Sequence, residues 1–276
     1  ENTNYTPGEE GVNPEQNLNQ ADPLGLSDTE RATIDAAVKA KEQNGGKVIV
    51  LLNNASAMEI DELKNNDGID AMLEVGIPGG YGFYGVADVL SGDANPSGHL
   101  ADTYAVDNSA SPAAQNYGDY EWTNADSDYS INSEIVEAES IYTGYKYYET
   151  RYADTVLGQG NASDSVGSST GGAWTYDSEV SYPFGYGLSY TTFTQTLDSL
   201  NVDLEKKTVT AEVTVTNTGD VAGKDVVQLY ASTPYTDYDK EHLVEKAAVQ
   251  LLDYEKTEEL APGESTKVTI TADAQD

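Results

Sequence analysis

Carboxylates dominate the reactive side chains of this sequence. Its 276 residues include 48 Asp and Glu, no cysteine and two histidines, His99 and His242. Without cysteine the chain has no disulfide, thiol nucleophile or thiolate metal site, and two distant histidines cannot form a histidine-rich metal site. Carboxylate chemistry is what remains. The acidic residues are so numerous, however, that a close pair such as Glu137 and Glu139 does not by itself indicate a site.

Aromatic residues are the second group with a chemical use. Twenty tyrosines stand against three phenylalanines and two tryptophans. A tyrosine joins an apolar ring to a hydroxyl, which suits a carbohydrate surface as well as a half-buried strand. The candidates for stacking on a sugar ring are Tyr142, Tyr145, Tyr147, Tyr148, Trp122 and Trp174. Packing in a core is the alternative for at least half of them.

The charge balance excludes several classes of partner. Fourteen Lys and Arg against 48 Asp and Glu give a formal net charge of −34 at pH 7, which repels phosphate backbones and anionic lipid. No apolar run approaches the ~20 residues that span a bilayer, and the sequence contains neither a Walker phosphate loop nor a dinucleotide fingerprint. We therefore expect no nucleic acid partner, no membrane span and no cofactor. Localisation is left open, with a bacterial cell-surface or secreted protein favoured over a cytoplasmic one.

Helix and strand patterns alternate in the first half of the chain, which favours an α/β layer with a mostly parallel sheet. Ser27 and Glu30 form a capping-box pattern that predicts the start of a helix. The helical spacing of the apolar residues ends at Gly45, which predicts the end of that helix. Residues 47–53 are a short apolar run, typical of a parallel strand covered on both faces. The pattern then predicts a short helix at 57–64, a strand at 69–75 and a helix at 82–90.

Two polar stretches interrupt this pattern. Residues 107–128 and 157–172 are rich in small and polar residues and are predicted to be loops. Between them, residues 141–148 are aromatic and predicted to be ordered. For residues 158–172, compositional disorder and an ordered loop remain equal alternatives.

The last third of the chain changes to a period of two. Val209, Ala211, Val213 and Val215 alternate with polar residues, and turn signals separate further short strands. This pattern favours an antiparallel β-sandwich. The strands are too few to close a sandwich of about seven, so we expect the domain to be incomplete in this chain. The predicted division is an α/β domain at 1–190, with long loops at about 107–180, and a sandwich at 191–276.

Three segments in the α/β part resemble glycoside hydrolase family 3. They are residues 182–193 (YPFGYGLSYTTF), 79–100 (GGYGFYGVADVLSGDANPSGHL) and 144–149 (GYKYYE). Two further segments are similar to the fibronectin type III-like domain of that family, residues 213–230 (VTVTNTGDVAGKDVVQLY) and 260–265 (LAPGES). The glycines and turns of these motifs indicate scaffolding more than direct sugar contact.

The resemblance implies a retaining glycoside hydrolase in which an aspartate on a barrel domain is the nucleophile and the α/β domain lends the acid/base. Such enzymes hold the two carboxyl groups ~5–5.5 Å apart. The chain has no Ser-Asp-Trp segment of the kind that carries the nucleophile; Asp128 and Asp164 follow serines in polar loops. By the match of residues 8–11 (GEEG) to the family's acid/base loop, Glu10 is the first candidate for the acid/base and Glu9 the second.

The expected function is therefore part of a β-glucosidase- or β-xylosidase-like enzyme that hydrolyses terminal β-linked sugars. This chain is expected to supply one wall of the cleft, with Tyr142, Tyr145 and Trp122 as candidate substrate contacts. Its expected partners are the barrel domain of the same protein and an oligosaccharide or β-glucoside. We expect the chain alone to be inactive. The alternatives are a non-catalytic carbohydrate-binding module and a purely structural module.

Overall fold

The structure is a computed structural model that describes residue 22 and residues 24–116, 120–121, 133–134 and 136–273. In chain order its elements are α1 (Asp28–Asn44), β1 (Ile49–Leu52), α2 (Asp61–Lys64), β2 (Ala71–Glu74), α3 (Gly79–Ser91), β3 (Tyr104–Ala105), a 3₁₀ turn (Asn108–Ala110), α4 (Pro112–Asn116), β4 (Tyr120–Glu121), β5 (Ser133–Glu134), α5 (Tyr145–Thr155), α6 (Tyr176–Glu179), β6 (Val180–Tyr182), β7 (Phe193–Asp203), β8 (Thr208–Asn217), β9 (Val226–Ser232), α7 (Asp237–His242), β10 (Val249–Lys256) and β11 (Ser265–Asp273). Within the described ranges no helix combines the length and apolarity needed to cross a membrane.

The chain forms two compact units, each made of several separate stretches of the sequence. The first unit contains the described residues up to 77, together with 102–184 and 240–245. The second contains 78–101, 185–239 and the described residues from 246 onward. The domain boundary at 190 stays a prediction.

Helix α1 begins and ends as the sequence predicts. The Glu30 amide donates to the Ser27 hydroxyl at 3.3 Å, and the Ser27 amide donates to the Glu30 carboxylate at 2.7 Å. This reciprocal pair confirms the capping box. At the other end Gly45 has a φ of 72°, which favours glycine, and its amide donates to the Lys41 carbonyl at 2.8 Å.

Strands β1 and β2 pair in parallel, with Ile49 opposite Ala71, as expected of an α/β layer. The prediction that β1 is covered on both faces is wrong for the described residues. Side chains alternate between the faces of a strand; Leu52 is buried on one face, whereas Ile49 is 43% and Leu51 37% exposed on the other. The described elements cover one face of this two-stranded sheet.

The core of the first unit is aromatic. Strands β3 and β6 pair antiparallel, and a buried cluster forms where helix α5 meets them. Its members are Ala105, Tyr147, Tyr148, Trp174 and Val180. The second half of the aromatic stretch at 141–148, which the sequence predicts to be ordered, is the first turn of α5. Its buried tyrosine rings take the place of the aliphatic side chains that usually fill a core.

Two buried charged residues hold the Gly/Ser-rich loop at 157–172. Arg151 of α5 is 3% exposed and donates to the carbonyls of Ser163 and Val166, each at 3.1 Å, and to the Asp154 carboxylate at 3.0 Å. The buried Glu179 accepts from the Ser169 amide at 3.0 Å. These contacts favour the ordered alternative for this loop, because buried charges are retained only when they are paired and hydrogen-bonded.

The second unit contains a β-sandwich of two sheets, with strand orders β11-β8-β7 and β10-β9. The predicted alternation in β8 is confirmed, since Ala211, Val213 and Val215 are buried. The sandwich core consists of Val213, Val215, Val227, Leu260, Val268 and Ile270. Strand β7 lies at the edge of the larger sheet, and its Leu197 and Leu200 stay more than half exposed although their register partners Val213 and Ala211 are buried.

Asn217, at the end of β8, is the fully buried polar residue of the sandwich. Its amide donates to the carbonyls of Val221 and Leu260, each at 2.8 Å, and its side-chain oxygen accepts from the Thr191 hydroxyl at 2.7 Å and the Gly219 amide at 3.1 Å. The two donors and the oxygen of the Asn217 side-chain amide are therefore all satisfied inside the protein.

The family-like motifs of the second unit bind to each other. Asn95 accepts from the Ser189 hydroxyl at 2.9 Å and the Tyr190 amide at 2.8 Å, and it donates to the Ala222 carbonyl at 2.9 Å. A Cβ on Gly187 would lie 2.4 Å from the backbone of Gly98, so only glycine fits this close approach. These contacts support the interpretation of the motifs as scaffolding.

Candidate functional site

A carboxylate cleft lies in the first unit, beside the start of α2. Its volume is about 290 Å³, and it is lined by Asp22, Gly25, Arg31, Glu59, Asp61, Glu62 and Val106. Two hydrogen bonds with backbone groups hold Glu59 in this cleft. The Glu59 amide donates to the Leu24 carbonyl at 2.9 Å, and the Glu59 carboxylate accepts from the Asn108 amide at 2.5 Å.

The surroundings of Glu59 oppose its ionisation. Partial burial, a hydrogen bond from its carboxyl to that of Asp22, and the nearby charges of Asp22 and Asp107 raise the pKa of Glu59 to about 7, against the opposing effect of the Asn108 amide. The basic residue of the cleft does not relieve this repulsion. Arg31 binds Glu62 with two nitrogens, at 3.0 and 2.8 Å, so its charge is directed to a different carboxylate.

A carboxyl group with a pKa near 7 can hold and release a proton under physiological conditions. Such perturbed groups are candidates for function. Sequence reasoning missed Glu59, because nothing in its local pattern distinguishes it from the other acidic residues. Its three neighbours, Asp22, Asp107 and Asn108, come from chain segments up to 49 residues away. In the described ranges, moreover, no group of His, Cys, Asp and Glu could hold a metal ion.

The predicted sugar-stacking residues divide into two groups. Tyr147, Tyr148 and Trp174 are buried in the aromatic core, and burial raises the pKa of the Tyr148 hydroxyl, so their role is packing. Tyr145 is half-buried at the start of α5, with its ring centroid 4.7 Å from that of Phe184. Tyr142 is also half-buried and packs against the aromatic core. Their contact with sugar stays a prediction.

Three of the predicted site residues lie outside the described residues. They are the acid/base candidates Glu10 and Glu9 and the stacking candidate Trp122. Of the three expected substrate contacts, Tyr142, Tyr145 and Trp122, the structure describes the two tyrosines, which both belong to the first unit. Their assignments rest on the sequence.

Comparison with protein families identifies both parts of the chain. Residues 9–190 match the glycosyl hydrolase family 3 C-terminal domain, and residues 225–276 match a fibronectin type III-like domain. These matches confirm the predicted fold class, an α/β domain followed by a fibronectin type III-like sandwich.

Named relatives of this chain agree with the family match. The β-glucosidase A of Butyrivibrio fibrisolvens is 34% identical over 253 residues, covering 87% of this chain and 26% of its own length. A β-glucosidase of Ruminococcus albus is 32% identical, over 91% of this chain and 21% of its own length. The chain thus spans about a quarter of the length of these relatives.

Solved structures give the same result. A β-glucosidase 3B from Thermotoga neapolitana in complex with glucose is 33% identical, with a TM-score of 0.65 over 90% of this chain and 29% of that chain. A β-glucosidase from Paenibacillus barengoltzii is 30% identical, with a TM-score of 0.68 over 90% of this chain and 22% of that chain. The α/β and sandwich parts together therefore occur within larger β-glucosidases.

Proposed function

Because this chain belongs to glycoside hydrolase family 3, we propose that it is the non-barrel part of a retaining enzyme that hydrolyses terminal β-linked sugars, as a β-glucosidase or β-xylosidase does. The chain supplies one wall of the cleft and the acid/base. What carries this proposal is the family match, which begins at residue 9 and so includes both candidate glutamates. The names of the β-glucosidase relatives support the substrate class.

The proposed chemistry is divided between two bodies. A carboxylate on the barrel domain of the same protein attacks the anomeric carbon, while a glutamate of this chain protonates the leaving oxygen. The same glutamate then takes a proton from the water that hydrolyses the glycosyl-enzyme intermediate. Glu10 is the first candidate for this role and Glu9 the second. The chain by itself lacks a nucleophile in this scheme and is inactive.

The division of labour is tested by measuring hydrolysis of aryl β-glucosides. The chain alone, a family 3 barrel domain alone, and the two joined or mixed are compared. We expect turnover only when both bodies are present. Turnover by the chain alone would contradict the proposal.

The acid/base assignment is tested with Glu10→Gln in the joined protein, with Glu9→Gln as the matched control. Loss of an acid/base should slow hydrolysis of an alkyl glucoside by about 10²–10⁴, with a smaller effect on a dinitrophenyl glucoside, whose leaving group needs no proton. Azide should rescue Glu10→Gln and give β-glucosyl azide, because azide attacks the intermediate without a base. If only Glu9→Gln behaves in this way, the second candidate is the acid/base; if neither does, the assignment is wrong.

The proposed substrate contacts are Tyr142, Tyr145 and Trp122. If the Tyr145 ring stacks on sugar, Tyr145→Ala should raise KM about two- to tenfold with a smaller change in kcat. Tyr238→Ala is the control, since Tyr238 is exposed in the second unit and is expected to leave KM unchanged. Equal effects of the two substitutions would contradict the contact.

Calorimetric titration with cello- and xylo-oligosaccharides tests the division of the cleft further. Half of a divided cleft should bind weakly. Strong binding by the chain alone, without any effect on the barrel domain, would indicate a carbohydrate-binding module instead.

A further inference from the structure

Helix α3 of the second unit presents two tyrosine rings to solvent. None of its residues is buried, and Tyr81 is 88% and Tyr84 71% exposed. The contacts that mark the motif at 79–100 as scaffolding come from its last residues, Asn95 and Gly98. The aromatic first half of that motif therefore requires an explanation of its own.

Tyr81, Tyr84 and Asp88 lie on one face of α3, because residues at positions i, i+3 and i+7 point to the same side of a helix. The two tyrosines differ in height by about 4.5 Å along the axis, so their rings follow each other much as neighbouring units do in a sugar chain. Helical side chains lean toward the N-terminus, which directs the Asp88 carboxylate toward Tyr84. Asp88 is also the one charged residue of α3. This face thus combines two amphipathic rings with a hydrogen-bond acceptor.

A glycine keeps this face open. Glycine destabilises a helix interior relative to alanine, and at Gly82 it has a packing reason, since a Cβ there would lie 2.6 Å from the Pro78 Cβ. At Gly85 a Cβ would meet no atom within 4 Å. A side chain at position 85 would lean over Tyr81, one turn earlier, so the glycine leaves that ring uncovered. A local cost without a packing reason is typical of a functional site.

The chemistry of this face suits a neutral sugar chain. A tyrosine offers an apolar ring for stacking together with a polar hydroxyl, and a carboxylate accepts hydrogen bonds from hydroxyl groups. The net charge of −34 repels anionic ligands, whereas a neutral ligand meets no such barrier. The β-linked sugars of the proposed function are ligands of this kind.

We propose that Tyr81, Tyr84 and Asp88 form a binding platform for an extended, neutral β-glucan chain. Each ring stacks on one sugar unit, and the Asp88 carboxylate accepts hydrogen bonds from the hydroxyls of the unit on Tyr84. The platform gives the protein affinity for a chain of several units, beyond the terminal unit that is hydrolysed. The choice of a β-linked glucan rests on the proposed function; the platform itself rests on the exposure and spacing of its residues.

The platform is tested on the full chain by titration with cellohexaose, followed by the NMR chemical shifts of the backbone amides. We expect shifts in α3 and a dissociation constant of about 1 mM, because two solvent-exposed rings bind weakly. Glucose, which covers a single ring, should bind at least about tenfold more weakly. Absence of shifts in α3 at about 10 mM cellohexaose would overturn the proposal.

Substitutions identify the rings. Tyr81→Ala and Tyr84→Ala should each weaken binding about two- to tenfold, because each removes one stacking contact. Tyr238→Ala is the matched control, since it removes an exposed tyrosine of α7 in the same unit and should leave binding unchanged. If the double variant of Tyr81 and Tyr84 binds as well as the unsubstituted chain, the rings are not the platform.

Gly85→Leu tests whether access to the ring matters. It keeps both tyrosines, and the leucine should cover Tyr81 and weaken binding at least about threefold, while thermal stability is kept or raised because leucine is a better helix former than glycine. Gly85→Ala is the control: its methyl group is too small to cover the ring, so stability should rise and affinity should stay. Equal affinities of the two variants would contradict the role of the glycine and of the exposed Tyr81 ring.

A protein surface is the rival occupant of this face. Hydroxyl-radical footprinting compares the oxidation of Tyr81 and Tyr84 in the chain alone and in the chain joined to the barrel domain. Equal oxidation supports a platform open to sugar, whereas protection in the joined protein would assign the face to an interface and overturn the proposal. These measurements do not depend on hydrolysis: a joined protein that binds cellohexaose on α3 but cleaves no glycoside contradicts the proposed function alone.

Discussion

The two units of the chain reach a packed core by different means. The sandwich of the second unit uses aliphatic residues at every second position, such as Val213 and Val215 in β8. The first unit uses tyrosine and tryptophan rings on α5 and its neighbours, and it adds buried charges, Arg151 and Glu179, that bind backbone groups of a long loop.

This difference shows which structural features follow from neighbouring residues in the sequence and which depend on residues farther along the chain. An alternating strand carries its buried face in its own pattern, so β8 can be recognised without knowing its neighbours. A buried arginine is recognisable only through its partners, and the carbonyls that Arg151 binds lie twelve and fifteen residues further along the chain. We therefore expect the first unit to be more sensitive to the loss of single polar residues, and the following predictions test that expectation.

The largest effect is expected from Arg151→Leu. The substitution removes the guanidinium that donates to the Val166 carbonyl and the Asp154 carboxylate, and one of the two donors to the Ser163 carbonyl, which keeps the Val166 amide at 3.2 Å. Breaking a buried pair in this way costs about 3–5 kcal/mol. Tryptophan fluorescence during denaturation, in a Trp122→Phe background, measures it, because Trp174 is buried 5.7 Å from the Arg151 guanidinium. Arg151→Lys is the control, which keeps the charge and should cost less. Equal stability of Arg151→Leu and the unsubstituted chain would remove the contrast between the units.

Asn217→Ala tests the fully buried side-chain amide at the end of β8. The substitution removes the partner of the Val221 carbonyl and the Thr191 hydroxyl, and one of the two donors to the Leu260 carbonyl, which keeps the Gly223 amide at 3.1 Å. The loss costs about 2–3 kcal/mol. Thermal unfolding followed by circular dichroism in the β-sheet region measures it. Asn201→Ala in the exposed strand β7 is the control and should change stability by less than about 0.5 kcal/mol. If the two substitutions have the same effect, the sandwich does not depend on this amide.

Val215→Ala compares buried and exposed apolar positions within the sandwich. Val215 is fully buried, so truncation should cost about 2 kcal/mol through lost burial and a small cavity. Leu200→Ala removes more atoms but from a side chain that is 56% exposed, and it should cost less. Denaturant titration of both variants measures the difference. A larger effect at Leu200 would show that the inner face of β7 is covered in solution.

The smallest effect concerns acid stability. Hydrogen bonds and ion pairs with Lys41 and Lys47, and the Val48 amide, hold the pKa of Asp70 below its usual value. Its contribution to stability is therefore present above pH 3.8 and is lost as the pH falls below it. Asp70→Asn should lower stability at pH 5 and flatten its dependence on acid, measured as the unfolding midpoint between pH 5 and pH 2.5. Glu59 acts in the opposite direction, because its raised pKa favours folding at low pH. An acid dependence that is unchanged in Asp70→Asn would contradict this assignment.

Sequence reasoning succeeded where the determining contacts are close in the chain. The capping box of Ser27 and Glu30 and the alternation of β8 follow from spacing alone, and the structure contains both. It failed for the exposed side of β1, because an apolar run such as that around Ile49 shows what a strand could bury and not what lies beside it. The pKa of Glu59 could not be predicted either, since Asp22 and Asn108 reach it through the fold.

The ordering of the loop at 157–172 has a practical consequence for mapping the chain with proteases. Its composition suggests an easily cleaved linker, and small polar loop tips are preferred cleavage sites. A protease must draw several consecutive residues into an extended conformation, which here requires that the carbonyls of Ser163 and Val166 leave Arg151. Limited digestion should therefore cut this loop less readily than its composition suggests. A cut within the loop would show that the aromatic core had opened.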